Sequence, residues 1–304
     1  MDTVQWGVES TVCQMTSMIL STLVSGIIIS SLYITMALGL SVIYGVIKIF
    51  NFSHGLLAIF GAYLVWWLLS RTGLGYGWCI LISAGIMFGI GIIIYWSMIF
   101  PLLKHPNWDL STLVITLGLG MVIENFSLIA FGPGTKAIPK FIKGSIRWND
   151  YSIISWHDLC TIIIVICMLL LLKYFFMKTK QGQAIRAVAQ DMEGARYIGI
   201  DIFKVFSYTF AIGVSITGFS GVLLASKLSL TSSMGWDWLV KGFVIVVLAG
   251  LGSITGIFYA GIFLGISEAF ISFFFGIIWV PSFWFVAFLI ILLFRPEGLS
   301  SAKL

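Results

Sequence analysis

The stretch KTKQGQAIRAVAQDMEGARYIGIDIFK, residues 178–204, is the longest charged segment of a chain that is otherwise mostly lipid-compatible. Between Gln183 and Gly199 the residues Ile185, Val188, Met192, Ala195 and Gly199 recur at three- and four-residue spacing, while Gln183, Arg186, Gln190 and Glu193 gather on the opposite arc. That pattern predicts an amphipathic helix, too polar to span a membrane. Gly199 is placed to supply the left-handed residue that ends it, and Asp201 to cap the apolar helix starting at Ile202. A short surface helix is thus expected between two buried ones.

The rest of the chain fixes that contrast. Its 304 residues are 60% hydrophobic and only 10% charged, with a mean hydropathy of +1.07. Ordinary soluble domains hold about 45–50% apolar and about 25% charged residues. Apolar runs of roughly 17–25 residues repeat along the chain, and unpaired backbone groups are prohibitive in lipid, so these runs are expected to be helices of an integral membrane protein. The formal charge of +5 then implies no nucleic-acid partner, because Lys and Arg in such proteins mark cytoplasmic loops. Cys13, Cys79, Cys160 and Cys167 show no CxxC or Cys/His spacing; they read as small buried hydrophobes, and no metal site is expected. The first apolar run is followed by further spans and reads as a retained helix.

Apolar segments are expected at about 15–50, 56–69, 78–100, 110–131, 153–176 and 202–226, with a last apolar region at about 243–294. The first is too long for one crossing and holds either one long helix or two. The last is interrupted by Gly250-Leu-Gly-Ser253 and by Pro281, and Trp236, Asp237 and Trp238 fall in the loop before it. Two helices before Asn51 and three after Gly242 give ten spans with both ends inside; one and one give eight or fewer. The expected fold is therefore an all-α polytopic membrane protein of roughly 8–10 helices, short or broken ones included, forming one transmembrane domain over residues 1–304. Lys173, Lys178, Lys180, Arg186, Arg196 and Lys204 around the opening stretch, with Arg295 and Lys303, place it and the C-terminus inside. The loop at 132–152, with Lys136, Lys140, Lys143, Arg147 and only Asp150 against them, is nearly as basic and lies one crossing away. Charge alone does not separate the two faces.

Polar residues at membrane depth carry the functional signal. His54 lies in the polar break Asn51-Phe-Ser-His-Gly55, Glu124 and Asn125 lie within the span ending near 131, and Glu268 lies within the last apolar region. Ionisable groups there are costly and normally face a protein interior or a water-filled pathway. Asn51, His54, Gly55, Glu124, Asn125 and Glu268 are thus the candidate lining of a hydrophilic route, with the helix break presenting backbone dipoles to a solute. GxxxG pairs at Gly85/Gly89, Gly252/Gly256 and Gly261/Gly265 predict close helix packing. Tryptophans near span ends read as an interfacial belt. No catalytic constellation or phosphate-binding loop emerges, which argues against an enzyme and against an ATPase site in this chain.

The run Glu193-Gly-Ala195 followed by Gly199 resembles the EAA-x-x-x-G loop of ATP-binding-cassette importer permeases, which docks into a groove of an ATPase subunit. GQAIRAVAQDMEGARYIGID is similar to the loop of the branched-chain amino acid permeases of the LivH class. IKIFNFSHG (47–55), ITLGLGMVIEN (115–125), FGP (131–133), TFAIG (209–213), AGLGSITGIFYAGIFLGISE (249–268) and RPEGL (295–299) agree in order, so the resemblance covers almost the whole chain. Gly194 replaces an alanine of the general loop, Ala249 and Thr255 stand where glycine and proline are frequent, and Glu124 stands where glutamine is common.

The resemblance implies a sister permease, two cytoplasmic ATPases that bind the ATP, and an extracytoplasmic solute-binding protein, with no cofactor in this chain. It makes Glu193, Gly194, Ala195 and Gly199 the coupling motif. A mechanical reading of the same stretch adds Arg186, Asp191 and Arg196 for charged contacts with an ATPase. Import of branched-chain or related hydrophobic amino acids by alternating access is the expected function. The alternatives are the same architecture carrying urea or short amides, and an ion-coupled transporter using His54, Glu124 and Glu268 as a proton relay.

Overall fold

The computed structural model describes residues 2–149, 152–294 and 298. Arg295, Lys303, Asp150 and most of the RPEGL run lie outside the described residues. The helices are α1 (Asp2–Ile47), α2 (His54–Thr72), α3 (Tyr76–Ile94), α4 (Trp108–Phe131), α5 (Trp156–Lys178), α6 (Lys180–Gln190), α7 (Met192–Tyr197), α8 (Ile202–Lys227), α9 (Gly235–Ala249), α10 (Ile254–Phe275) and α11 (Val280–Phe294). A π-helical turn at Tyr95–Ile99 carries α3 on to Leu102. Among the described residues nine helices are long and apolar enough to cross a membrane, and the protein is an all-α polytopic membrane protein as expected.

The long first block is one helix. With no proline and no glycine pair to break it, α1 runs for 46 residues, about 69 Å. It ends where Lys48 turns left-handed at φ 63° and its ammonium donates to the Gly45 carbonyl at 2.9 Å. With α8 it forms the centre of the bundle: 89% of the most apolar part of α1 and 78% of that of α8 are buried, against 17% for α4 and α11. Small residues set the approach. On α10, Gly261 lies against Ile34 and Gly265 against Ser30 of α1, where any Cβ would collide. Gly85 and Gly89 of α3 meet open space instead, so that GxxxG pair is no contact within the chain.

Four expectations about the elements are corrected. Residues 183–199 form two helices, α6 and α7, rather than one, because Asp191 leaves the helix (φ −147°, ψ 103°) and caps α7 by accepting from the Gly194 N–H at 3.0 Å. Trp236, Asp237 and Trp238 belong to the first turn of α9, not to a loop. Pro281 sits in the first turn of α11, where its missing N–H costs nothing, and the break before it falls at Gly276 with φ 91°. The loop after α4 holds an antiparallel hairpin, β1 (Ser145–Asn149) and β2 (Ser152–Ser155), so residues 153–155 are strand rather than membrane helix. Cys79 is buried as expected, but Cys167 lies on the exposed face of α5.

Two ends of the bundle can be told apart. At one, Ile47, Leu103, Trp108, Met192, Arg196 and Phe203 line a cavity of about 460 Å3. At the other, Phe141 lies on the His157 ring with centroids 4.2 Å apart, and Lys136 pairs with Leu230. Five spans precede the α6–α7 element and four follow it.

Candidate functional site

The polar break after α1 folds back into the bundle. Asn51 is 1% exposed, and its Oδ1 accepts from the Ser53 N–H at 3.1 Å and the Ser53 hydroxyl at 2.6 Å, which turns the chain into α2. The Phe52 N–H donates to Thr116 Oγ1 of α4 at 3.1 Å, so a backbone donor left over at the turn is satisfied by a neighbouring helix. His54 is fully buried. Its Nε2 lies 2.9 Å from the Met36 carbonyl of α1 and its Nδ1 3.1 Å from Thr217 Oγ1 of α8. A carbonyl can only accept, so Nε2 carries a proton, while the Thr217 hydroxyl donates its own proton to the Gly213 carbonyl at 2.6 Å. Met36 is eleven residues before Ile47, about 16 Å along α1, and Thr217 ten residues before Lys227, about 15 Å along α8. The start of α2 therefore sits near half-depth, not at a surface.

A second helix starts at the same depth. Gly55 in the first turn of α2 lies against the backbone of Gly235 in the first turn of α9, and a Cβ on Gly55 would run into the Gly235 carbonyl. One residue on, the Trp236 Nε1–H donates to Glu124 Oε2 of α4 at 2.8 Å. Two half-depth helix starts, with the positive ends of their dipoles, and one carboxylate thus come together from Asn51, His54, Gly55 and Glu124. Asn125 does not join them: it is exposed, and its amide donates to the Met121 carbonyl of its own helix at 2.8 Å.

Glu268 belongs to a separate cluster. Its Oε1 accepts from the Tyr33 hydroxyl at 3.0 Å and the Lys241 ammonium at 3.1 Å, and its Oε2 from the Trp284 Nε1–H at 2.9 Å. Lys241 also donates to the Tyr33 hydroxyl at 2.6 Å and lies over the Tyr33 and Trp284 rings. α1, α9, α10 and α11 meet in this one network, a turn of α1 away from Met36. Sequence reasoning missed Lys241, because its segment was read as loop; the rule that singled out Glu268, a charge inside an apolar run, would have found it.

The α6–α7 element is held by its own caps. Thr179 Oγ1 accepts from the Gly182 N–H at 3.0 Å, and Gly199 closes the element with φ 86°. Ile185, Val188 and Ala195 are buried, as their spacing predicts, while Asp191, Glu193 and Arg196 are exposed and Arg186 half-buried. Met192, Tyr197, Ile198 and Phe203 add a large exposed apolar surface around them; Tyr197 is 89% exposed. Asp201 caps α8 by accepting from the Lys204 N–H at 3.2 Å, and that bond, followed by the Lys204 ammonium, holds its carboxyl below the usual range.

Residues 17–294 match the family described as the branched-chain amino acid transport system, permease component. The chain belongs to this family. The permease is 28% identical over 297 residues to the high-affinity branched-chain amino acid transport system permease protein BraD of Pseudomonas aeruginosa, covering 92% of this chain and 95% of that one. Against LivH of Escherichia coli K12 the identity is 28% over 289 residues, with 90% and 93% covered. LivM of the same organism is 25% identical over 266 residues, covering 79% of this permease and 61% of LivM. Nine spans and this membership make the permease a multi-pass protein of the cell membrane.

Proposed function

We propose that this permease is a membrane-embedded subunit of an ATP-driven importer for branched-chain or related hydrophobic amino acids, its 304 residues acting as one transport domain. The observation that carries the reading is the α6–α7 element, a rigid, self-capped pair of short helices outside the apolar bundle. Its exposed Asp191, Glu193, Arg196, Tyr197 and Ile198 offer mixed charge and apolar area, the composition of a surface awaiting a partner. The partners are two cytoplasmic ATPases, which bind the ATP, so this chain needs no cofactor. A solute-binding protein delivers from the other face. Similarity to both LivH and LivM supports a sister permease beside this one. Docked on an ATPase, the element acts as a lever on α5 and α8, the two spans it joins, and the pathway opens alternately around the half-depth starts of α2 and α9.

Glu193→Lys or Gly199→Leu is expected to abolish leucine uptake while leaving membrane insertion intact; normal uptake in both variants sinks the coupling role. Urea uptake in place of leucine would assign the cargo to the small-amide alternative. Transport by this chain alone in vesicles without ATP would favour an ion-coupled carrier. Against that carrier, His54 contacts a carbonyl and a hydroxyl, not the carboxylate a relay needs.

A further inference from the structure

The structure assigns a solute-docking site to the cavity beside the Asp158–Lys227 ion pair, at the face remote from α6–α7: we propose that it receives an α-amino acid zwitterion with an aliphatic side chain. The inference rests on the importer reading and adds where this chain first holds its cargo. The cavity, about 400 Å3, lies between α1, α5, α8 and α10. That volume falls in the range of small-ligand sites, about 300–1,000 Å3. Lys227 stands 25 residues beyond Ile202, about 38 Å along α8 from the coupling end. An imported solute arrives at this far end.

The chemistry of the walls selects the ligand. Lys227 Nζ donates to Asp158 Oδ1 at 2.9 Å, with the two side chains 31% and 11% exposed. An ammonium has three N–H groups and a carboxylate two oxygens, so the pair satisfies only part of each. Asp158 Oδ2 has no partner among the described residues, and Lys227 keeps N–H groups free to turn toward the cavity. A ligand that brings a carboxylate to Lys227 and an ammonium to Asp158 can bind without breaking the pair. Ser21, Thr22, Ser25 and Ser272 surround these charges with hydroxyls, while Val24, Ile28 and Phe273 line the rest with hydrocarbon. Two opposite charges beside an apolar wall describe leucine better than an ion, a sugar or urea. By contrast, the cavity between α3, α5 and α8, lined by Phe88, Ile163 and Phe219, is apolar and suits a lipid chain.

The test is equilibrium binding to the assembled membrane complex in lipid nanodiscs, without its binding protein, using leucine, leucinamide and 4-methylpentanoate. Leucine is expected to bind at least tenfold tighter than either single-charge analogue. Asp158→Asn and Ser25→Trp are each expected to weaken leucine at least tenfold and to raise the KM of uptake with the maximal rate retained. Ser25→Trp fills the cavity rim without touching the ion pair, so it remains informative if Asp158→Asn fails to assemble. No leucine binding by the wild type, or unchanged affinity in Ser25→Trp, overturns the site. A zwitterionic phospholipid that co-purifies with the wild type and is lost from Ser25→Trp, with leucine affinity unchanged, makes it a lipid site and also overturns it. Leucine binding without ATP-driven uptake would instead defeat the importer reading and leave the site standing.

Discussion

Lys241 and Glu268 show how a charge is made tolerable at membrane depth. Each alone would be prohibitive there, yet the pair, 21% and 11% exposed, is satisfied by two aromatic donors and by two ring faces. Removing one partner leaves the other charge buried and unpaired, at a cost of about 3–5 kcal/mol. Lys241→Met or Glu268→Gln is therefore expected to lower the melting temperature in detergent markedly. The double variant Lys241→Met/Glu268→Met should recover much of the loss, since neither charge then remains. Equal damage in the double and single variants would show that Tyr33 and Trp284 depend on the pair for more than charge balance. Glu268 was legible in the sequence because any carboxylate in an apolar run stands out. Its partner was not, because sequence spacing says nothing about which helices meet: Lys241 and Tyr33 are 208 residues apart. For the same reason Asn125 looked like its neighbour Glu124, although consecutive helical residues point to different faces.

At the scale of elements, local rules held where the chain decides for itself. Gly199, Asp201 and the buried stripe of Ile185, Val188 and Ala195 all follow from spacing. The break at Asp191 escaped the periodicity because Ile185, Val188 and Ala195 keep helical spacing across it, although Met192, on the same spacing, is exposed. Asp191→Ala removes the α7 cap and is expected to cost about 1 kcal/mol, seen as faster proteolysis between α6 and α8. Asp201 adds a pH dependence with a definite sign. Its folded carboxyl is held below the unfolded value of about 3.9, so the cap is fully present above that value and lost as pH falls through the lower folded one. Protease sensitivity around residue 201 should stay flat from pH 7 to pH 5 and rise only in stronger acid; Asp201→Asn should flatten the curve. Gly55 is set by a tertiary contact instead. Gly55→Ala pushes α2 off α9, an overpacking of about 1–3 kcal/mol, and is expected to impair uptake more than it impairs insertion, because the joint it opens lies at half-depth on the proposed pathway.

For the whole molecule, the count of crossings converts helix lengths into topology. The sequence allowed ten spans, or eight or fewer, because the first apolar block could be cut in two and the last could be left whole. The structure keeps α1 intact and divides the last region into α9, α10 and α11, which gives nine among the described residues. An odd number places the two ends of the bundle's chain on opposite faces. Counting outward from α6–α7, five spans lead back to the start of α1, which is therefore on the far side, and four lead on past α11, which returns to the same side. The basic loop between α4 and α5 then lies opposite α6–α7 despite Lys136, Lys140 and Lys143, so its charge does not report its side. Part of that charge is used locally: Lys136 sits over the Trp66 ring at 5.0 Å. With the native cysteines replaced, Gln190→Cys is expected to react with a membrane-impermeant maleimide only after the cytoplasmic face is opened. Lys140→Cys and Gln14→Cys should both react in intact cells. Gln14→Cys labelling together with Gln190→Cys would require an even number of crossings between them, and with it a break within α1–α5, such as in α1, that the nine-helix arrangement does not contain.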